Sequence, residues 1–379
     1  MTAARVLIVG AGIAGAMAAL GARTRGAAVT VLWRAPGATA LYAGGMEITE
    51  PLAGLAGRDP CHPFLRLGLS QPELERTLDE CTEVLRAHLA GAGLELLGDW
   101  WRGEEYLDLH GRPRPAQLVP ATVAPGALSA LRGRRLAVVG FPPVAEYDAA
   151  STAEAISQLE GVRAEPLPVE IELPLDASLT DLFGRPAPLV DTDADLIAYP
   201  PGLEDLPPRG FELLAAVPSP HGLRLQRALE RMLLAAGVEM RRGTAEAIEA
   251  GAGGVRSVAG IEADQFILAA GRYLGGGLVK EGAITEPLFG LGVFHEGRRY
   301  DHERSVRLHH LEELSPEPAF RAGLMTDPDL RPLDAEGAPA HANLRAAGSV
   351  LGGYDYGSGF GFGVPMLTGW LAGCRAATA

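Results

Sequence analysis

The chain has 379 residues, 47% of them hydrophobic, which is enough to bury the cores of two domains. Its formal net charge is −14 without a basic run, which argues against a nucleic-acid partner and against direct adhesion to an anionic membrane surface. The three cysteines, Cys61, Cys81 and Cys374, are far apart, so they form no metal-binding CxxC pair and are too few for an iron–sulfur cluster, which needs about four thiolates.

The first predicted strand ends in a glycine-rich turn. Residues 6–15 combine apolar β-formers with three glycines and run into an Ala-rich stretch, which predicts the strand, turn and helix of a dinucleotide-binding fingerprint. Gly10 allows the tight turn, Gly12 lets the backbone approach a pyrophosphate, and Gly15 lets helix and strand pack closely. The helix N-terminus favours phosphate. The predicted cofactor contacts here are Gly10, Gly12, Ile13, Ala14 and Gly15.

The second predicted strand, residues 27–32, departs from the fingerprint at its end. A dinucleotide-binding unit normally places Asp or Glu there to hold a ribose. This chain has Trp33 followed by Arg34, and the next acid is Glu47. The site therefore holds either FAD through backbone contacts or a mononucleotide, with Trp33 and Arg34 beside it. A loop follows in which Gly44 and Gly45 permit close approach to a ligand.

The chain then leaves the cofactor domain and returns to it. A helix is predicted from about Gln71 to Gly91, a strand at 134–140, and a helix over 222–236 that Gly237 ends. A strand from Gln265 ends in Ala270 and Gly271, which are predicted cofactor contacts, and glycines at 275–277 repeat the signal for close backbone approach to a ligand.

A second glycine-rich signature covers residues 343–365. A helix N-terminus at this point stabilises the negative charge near N1 and O2 of a reduced isoalloxazine, so the signature indicates a flavin. Pro365 suits the first helical position, and Gly359 contributes to the tight approach. Ser349 stands where many flavoproteins place an acid for the ribityl chain, which makes Asp355 the nearest carboxylate for the sugar. The predicted contacts are Gly348, Ser349, Asp355, Gly361, Phe362, Gly363 and Val364.

Together these elements predict an α/β fold. A Rossmann-like FAD/NAD(P)-binding domain, with a mixed, largely parallel sheet and helices, takes residues 1–60, 219–285 and 323–379, and an interleaved α+β cap for substrate or partner takes 61–218 and 286–322. No transmembrane segment or export signal is recognisable, so the sequence predicts a cytoplasmic protein.

Three residues are candidates for catalysis on a small-molecule substrate. Oxidation of a secondary alcohol needs a base for the hydroxyl proton, and His62 at the start of the cap is the candidate, with a structural loop histidine as the other interpretation. Arg331 could bind a phosphate or carboxylate, or could be a salt-bridged loop arginine. Glu286, before Pro287, either caps a turn or orients His62 or a partner residue. His309 and His310 are predicted to be surface residues.

Nearly the full chain resembles the B subunit of anaerobic glycerol-3-phosphate dehydrogenase, within the fumarate-reductase-like flavoproteins. Ser349 and the missing acid at Trp33 are also similar to that family. The segments that carry the resemblance are the N-terminal fingerprint and residues 44–48, 62–64, 275–281, 286–291, 326–333 and 347–355.

The resemblance implies a heterotrimer that oxidises sn-glycerol 3-phosphate to dihydroxyacetone phosphate. One partner carries FAD and the catalytic site, the chain itself carries a flavin usually given as FMN, and a third subunit holds iron–sulfur clusters and meets the membrane quinone. The chain is then peripheral at the inner face of the plasma membrane through its partners.

Two other functions stay open at this point. The chain could be a free-standing FAD-dependent dehydrogenase or oxidase of a small hydroxy or amino acid, or an assembly scaffold without flavin. The fingerprint itself favours FAD, whereas the resemblance implies FMN, and within the heterotrimer the chain could be catalytic or only relay electrons.

Overall fold

The structure is a computed structural model that describes residues 3–49, 52–251, 253–281, 283–300, 318–334, 336–355 and 361–379. The helices of these residues are α1 (Ile13–Thr24), α2 (Leu55–Arg58), α3 (Gln71–Gly91), α4 (Leu128–Leu131), α5 (Ala149–Ser157), α6 (Pro220–Ala235) and α7 (Gly363–Thr378). The strands are β1 (Arg5–Val9), β2 (Ala28–Trp33), β3 (Leu96–Leu97), β4 (Glu104–Leu107), β5 (Pro113–Ala116), β6 (Val119–Pro120), β7 (Arg135–Gly140), β8 (Arg163–Pro168), β9 (Leu196–Tyr199), β10 (Gly210–Glu212), β11 (Glu239–Arg242), β12 (Ile248–Gly251), β13 (Gly254–Val258), β14 (Ile261–Glu262), β15 (Gln265–Leu268), β16 (Val279–Glu281), β17 (Ala283–Thr285), β18 (Val293–His295), β19 (Arg298–Arg299), β20 (Gly323–Leu324) and β21 (Leu344–Ala346).

The chain divides into two compact units. The first unit comprises Met1–Thr39, Ile48–Ala92 and Ala228–Ala379, and the second comprises Ala40–Glu47 and Gly93–Arg227. Helix α6 contributes residues to both. The residues of the second unit are thus inserted within the sequence of the first.

A five-stranded parallel sheet forms the centre of the first unit. Its order is β11-β2-β1-β15-β21, so the strands stand in the sequence 3-2-1-4-5 of a Rossmann fold. The apolar residues of β1 are buried because both faces of a parallel sheet are covered. The predicted Rossmann-like α/β fold is confirmed.

Helices α1 and α7 pack against each other although they lie at opposite ends of the chain. Small residues allow the contact, because a Cβ at Gly369 would lie 2.3 Å from the carbonyl oxygen of Ala14, and one at Gly373 would lie 2.0 Å from that of Ala18. A Cβ at Gly21 on α1 would likewise lie 2.5 Å from the carbonyl oxygen of Trp370. The contact therefore joins the helix of the first signature to the helix of the second.

The boundaries of the two units differ from the predicted domain boundaries. Helix α3 is predicted in the cap, but it belongs to the first unit, where it contacts α7. A capping box between Ser70 and Glu73 starts this helix, and Leu78 and Leu85 on its apolar side are buried. The described residues of 286–322 also belong to the first unit, where β18 pairs with β20. Conversely, residues 40–47 and 219–227 belong to the second unit.

The second unit has a four-stranded sheet of its own. Strands β8-β7-β9-β10 are all parallel, and α5 connects β7 to β8. Short antiparallel pairs, β3 with β6 and β4 with β5, accompany this sheet. The apolar core cluster of the second unit consists of residues between Leu107 and Leu213. The predicted α+β cap therefore contains a wholly parallel sheet that the sequence pattern did not indicate.

Within the described ranges, no helix combines the length and the apolar composition needed to cross a bilayer.

Candidate functional site

The first signature forms a tight turn between β1 and α1. Gly10 has φ of +112°, and a Cβ there would lie 2.3 Å from the carbonyl oxygen of Ala269. A Cβ at Gly15 would lie 1.9 Å from the carbonyl oxygen of Gly10. Both glycines are therefore required by the backbone itself. Gly12 is the N-cap of α1 in extended conformation and supplies no side-chain cap.

The N-terminus of α1 suits an anion. The first turn of the helix contains no acid, so its N–H groups and partial positive charge are not offset by a carboxylate. Ile13 donates its backbone N–H to Oγ1 of Thr39 at 3.1 Å, and a Cβ at Gly12 would lie 3.1 Å from the same oxygen. Thr39 thus borders the turn and fixes its position. It is a polar residue in the loop after β2, and no motif in the sequence singles it out.

Trp33 is the last residue of β2, where the ribose anchor of a dinucleotide site would stand. It pairs with Arg242 of β11, whose guanidinium lies 5.8 Å from the centre of the indole ring. Nε of Arg242 also donates to the carbonyl oxygen of Arg34 at 3.4 Å. This end of the sheet therefore presents an aromatic ring and arginines in place of the usual carboxylate.

Residues of the glycine-rich segment 270–277 and of the second signature meet beside the first signature. Gly271 has φ of +75°, and a Cβ there would lie 3.6 Å from Oγ of Ser349. Gly348 has φ of +82°, and its Cβ would lie 2.5 Å from the Cβ of Ala14 in α1. Its N–H donates to Oγ1 of Thr368 in α7 at 2.9 Å. The carbonyl oxygen of Ala270 lies against Gly275, where a Cβ would be only 1.9 Å away. Three segments far apart in sequence thus converge.

Helix α7 begins at Gly363, with Phe362 as its N-cap, two residues before the predicted start at Pro365. Pro365 still lies in the first turn, where the backbone N–H that it lacks would have no partner within the helix. A Cβ at Gly363 would lie 1.6 Å from the carbonyl oxygen of Ile48, so this glycine is required by protein packing. The first turn has no acid and no side-chain cap. Val364 is buried.

The remaining predicted contacts of the second signature are only partly described. Gly361 precedes the N-cap of α7, and Asp355, partly exposed, follows the fully buried Tyr354. Gly359 lies outside the described residues, as do His309 and His310.

Gly44 and Gly45 lie in the second unit. A Cβ at Gly44, where φ is +112°, would lie 2.7 Å from Cδ2 of His221, and one at Gly45 would lie 2.8 Å from the Cβ of Ala116. Packing within the unit therefore accounts for both glycines, and their contact with a cofactor stays a prediction.

His62 is fully buried at the start of a short 3-10 turn. Its Nδ1 accepts the backbone N–H of Phe64 at 3.2 Å, so the neutral ring carries its proton on Nε2. Burial lowers the pKa of His62 to about 4, and the Coulombic effect of Asp59 only partly opposes this. A neutral imidazole in this tautomer has no free ring nitrogen to accept a substrate proton. The arrangement thus favours the structural interpretation of His62 over the general base.

The other two catalytic candidates are engaged by their own loops. Nε of Arg331 donates to Asp327 at 2.7 Å, and its Nη2 lies 3.6 Å from Asp329. The charge of Arg331 is therefore matched by carboxylates, which favours the salt-bridged interpretation. Glu286 is buried and accepts the backbone N–H groups of Leu288, Phe289 and Leu291 at 2.9 to 3.2 Å. It caps this turn, and burial raises its pKa.

The family model described as FAD binding domain matches residues 5–65 and 198–359, more than half of the chain. The chain belongs to the FAD binding domain family. The predicted flavin cofactor is thereby confirmed, and the geometry around α1 and α7 is its candidate site, termed the flavin site below.

Curated relatives support the resemblance to the B subunit of the anaerobic dehydrogenase. The chain is 29% identical to the B subunit of the probable anaerobic glycerol-3-phosphate dehydrogenase of Halobacterium salinarum (strain R1), with 99% of this chain and 98% of the relative covered. It is 28% identical to the B subunit of the anaerobic glycerol-3-phosphate dehydrogenase of Yersinia pestis bv. Antiqua, over 86% and 84%. A solved structure, 3-ketosteroid delta1-dehydrogenase from Sterolibacterium denitrificans, matches with a TM-score of 0.45, 13% identity, and 98% and 99% coverage.

Two arginines near the flavin site were not identified from the sequence. Arg272, directly after Gly271, donates from Nε to the carbonyl oxygen of Ser349 and from Nη2 to that of Leu351, both at 2.9 Å. Arg66 donates from Nη2 to the carbonyl oxygen of Gly352 at 3.0 Å. Each binds the backbone of the second signature, and a contact of this kind leaves no pattern in the sequence.

Within the described residues, no group of three or more His, Cys, Asp or Glu side chains is arranged to hold a metal ion.

Proposed function

We propose that the chain is the flavin-containing subunit of an anaerobic glycerol-3-phosphate:quinone oxidoreductase. The observation that carries this proposal is that both ends of the chain build one flavin site, in a protein similar over nearly its full length to relatives named as the B subunit of that dehydrogenase. The reaction converts sn-glycerol 3-phosphate to dihydroxyacetone phosphate. A bound flavin would either accept the hydride that the secondary alcohol loses or relay electrons that a catalytic partner subunit delivers.

The residues of the first unit fit a flavin. Helices α1 and α7 each begin without an acid in the first turn, and their packing through Gly369 and Gly373 places both in one unit. The N-terminus of α1 would hold phosphate, and that of α7 would stabilise negative charge on a reduced isoalloxazine. Trp33 replaces the usual ribose acid, which favours FMN, whereas the fingerprint and the family favour FAD.

Partners complete the reaction. The described cysteines, Cys61, Cys81 and Cys374, are free, and they are too few for a cluster of four thiolates. Electrons that reach the flavin therefore leave to another protein or to a diffusible acceptor. By analogy with the B-subunit relatives, we infer an FAD-containing catalytic subunit and an iron–sulfur subunit that anchors the complex at the inner face of the plasma membrane.

The test is to purify the full chain alone and with co-expressed candidate partners. The visible spectrum is recorded, the cofactor is released by acid and identified by mass, and dye reduction by sn-glycerol 3-phosphate is measured. We expect a yellow protein whose turnover with a dye or quinone rises at least tenfold when the partners are present.

Other outcomes favour the other two functions. Full turnover by the isolated chain on a hydroxy or amino acid, without activity on sn-glycerol 3-phosphate, would make it a free-standing dehydrogenase or oxidase. A colourless protein that still assembles with its partners would make it a scaffold.

A further inference from the structure

Trp33 adjoins the glycine-rich turn of the first signature. The backbone N–H of Gly10 in that turn donates to the carbonyl oxygen of Leu32 at 2.8 Å, and Trp33 is the next residue of β2. The carbonyl oxygen of Trp33 accepts the backbone N–H of Gly243 at 2.9 Å, which holds it beside the end of β11. In a dinucleotide site the adenosine half lies beyond the pyrophosphate, at the end of the second strand. Trp33 therefore stands at the position that an adenosine would contact.

Arg242 holds the indole of Trp33 in place. Its guanidinium carbon lies 5.8 Å from the centre of the ring, and its Nε donates to the carbonyl oxygen of Arg34 at 3.4 Å. Among the described residues, no carboxylate pairs with Arg242. A guanidinium stacks on an aromatic face because its planar shape and its charge suit the ring. The contact fixes the orientation of the ring, although Trp33 is only partly buried.

An indole cannot replace the usual carboxylate by the same chemistry. The ring has one N–H donor and no acceptor, so it cannot accept hydrogen bonds from ribose hydroxyls. Its flat apolar face instead suits another flat ring, and a base stacked on an aromatic side chain is stabilised without hydrogen bonds. FMN ends at its phosphate and offers no base at this position, whereas FAD offers adenine. The end of β2 therefore suits the adenine of FAD better than its ribose.

We propose that Trp33 is the adenine-binding residue of the flavin site. Its indole, oriented by Arg242, stacks on the adenine of FAD in place of the usual contact between a carboxylate and the ribose. Trp33 then determines the choice of FAD over FMN, because only FAD carries the ring that it contacts. The inference rests on the flavin of the proposed function and does not depend on the alcohol substrate.

Arg241 provides a matched control for Arg242. The two arginines are successive residues of β11, so their side chains point to opposite faces of the sheet. Arg241 forms an ion pair with Glu239 at 2.8 Å, whereas Arg242 lies over Trp33. Loss of the Arg241 guanidinium should leave the indole in place, and loss of the Arg242 guanidinium should release it.

The experiment measures the affinity of the full chain, after removal of its flavin, for FAD, FMN and ADP in separate titrations. We expect the wild type to bind FAD at least about tenfold more tightly than FMN. Trp33→Leu should weaken the binding of FAD and of ADP about 5- to 150-fold, the range for one base stacked on an aromatic side chain, and should change FMN binding by less than about threefold. Trp33→Phe should keep most of the FAD affinity. Arg242→Gln should weaken FAD binding about two- to fivefold, and Arg241→Gln should leave it unchanged.

Trp33→Glu tests the replacement itself. A carboxylate at this position accepts hydrogen bonds from the ribose of an adenosine. FAD should therefore bind more tightly to Trp33→Glu than to Trp33→Leu, whereas FMN, which has no adenosine, should gain nothing. If Trp33→Leu does not fold, Arg242→Gln carries the same test, because its loss of affinity should again fall on FAD and not on FMN.

Failure of the adenine contact is distinct from failure of the proposed function. A wild type that binds FMN as tightly as FAD overturns the adenine contact. Equal weakening of FAD and FMN binding in Trp33→Leu and Arg242→Gln also overturns it, because the two residues would then serve the fold of the site. Selective loss of FAD, in a chain that never turns over sn-glycerol 3-phosphate with its partners, supports the contact and rejects the function. Turnover by a chain that holds FMN supports the function and rejects the contact.

Discussion

The contact between α1 and α7 yields a sharp prediction, because a single methyl group should disrupt it. In Gly373→Ala the new Cβ would lie 2.0 Å from the carbonyl oxygen of Ala18 and 2.8 Å from the backbone nitrogen of Ala22. Real Cβ atoms essentially never come within 3.0 Å of another heavy atom, so the helices must separate by about 1 Å. The opposing atoms are backbone, which cannot rotate away.

The expected loss of stability follows from two opposing terms. Overpacking of a well-packed interface costs about 1 to 3 kcal/mol, and the upper part of that range applies when backbone opposes backbone. Replacing Gly by Ala inside a helix returns about 1 kcal/mol. We expect a net destabilisation of about 2 kcal/mol, which lowers the Tm by roughly 4 to 8 °C in a unit of this size.

The assay combines thermal unfolding with flavin retention. Gly91→Ala is the control, because a Cβ at this last residue of α3 has no heavy atom within 4 Å. It should leave stability unchanged or raise it by up to about 1 kcal/mol. Gly373→Ala should also bind flavin more weakly, since both helix N-termini border the flavin site. A Gly373→Ala chain that unfolds at the wild-type temperature and keeps its flavin would refute the helix contact as described.

Three further predictions concern polar groups. Thr39→Val removes the acceptor of the Ile13 N–H and should cost about 1 to 2 kcal/mol and weaken flavin binding, whereas Thr39→Ser should keep both; equal denaturant midpoints and flavin affinities for the two variants would contradict this. The pKa of His62 is about 4 in the folded chain against about 6.5 unfolded, so its contribution of about 3 kcal/mol is present above pH 6.5 and is lost as pH falls toward 4. Unfolding measured across this window should therefore depend less on pH in His62→Asn than in the wild type, and identical pH profiles would count against the burial described for His62. Arg224→Gln removes the guanidinium whose Nη1 lies 2.7 Å from the buried Glu212 carboxylate and leaves Nδ1 of the buried His221, 3.9 Å away, beside it. It should cost about 2 to 4 kcal/mol at pH 7, somewhat less than the loss of a fully buried pair because Arg224 is partly exposed. The pKa of Glu212 is lowered in the folded chain, so this cost should shrink as pH falls and the acid protonates, and a cost that does not change with pH would argue against a buried charge.

Local sequence patterns predicted several of the elements but not their assignment to units. The glycines of the first turn and the 21-residue α3 follow from spacing and capping alone, so their prediction needed no tertiary information. The unit to which α3 belongs depends on its contact with α7, nearly 300 residues later, and no local pattern encodes that contact. For the same reason the cap boundaries at 61 and 286 differ from the compact units.

The candidate site likewise contains some residues that the sequence predicts and others that only the structure identifies. Gly10 and Gly15 are required by backbone geometry that the fingerprint encodes. The pairing of Arg331 could have been anticipated, because Asp327 precedes it by four residues. Arg66 and Arg272 bind carbonyl oxygens of residues about 80 to 290 positions away, and any residue type offers a carbonyl oxygen, so their role required the structure.

The arrangement of the two units also bears on how the flavin site forms. The apolar cluster of the second unit uses residues from Leu107 to Leu213, whereas the sheet of the first unit pairs β1 with β15 across the whole insertion. Pairing over long sequence separation is slow because loop closure must precede the contacts that stabilise it. The packing of α7 on α1 requires the last helix of the chain, so the flavin site is completed after the core of the second unit can form. Flavin binding should stabilise the folded first unit, because a ligand that binds only the folded state shifts the folding equilibrium toward that state.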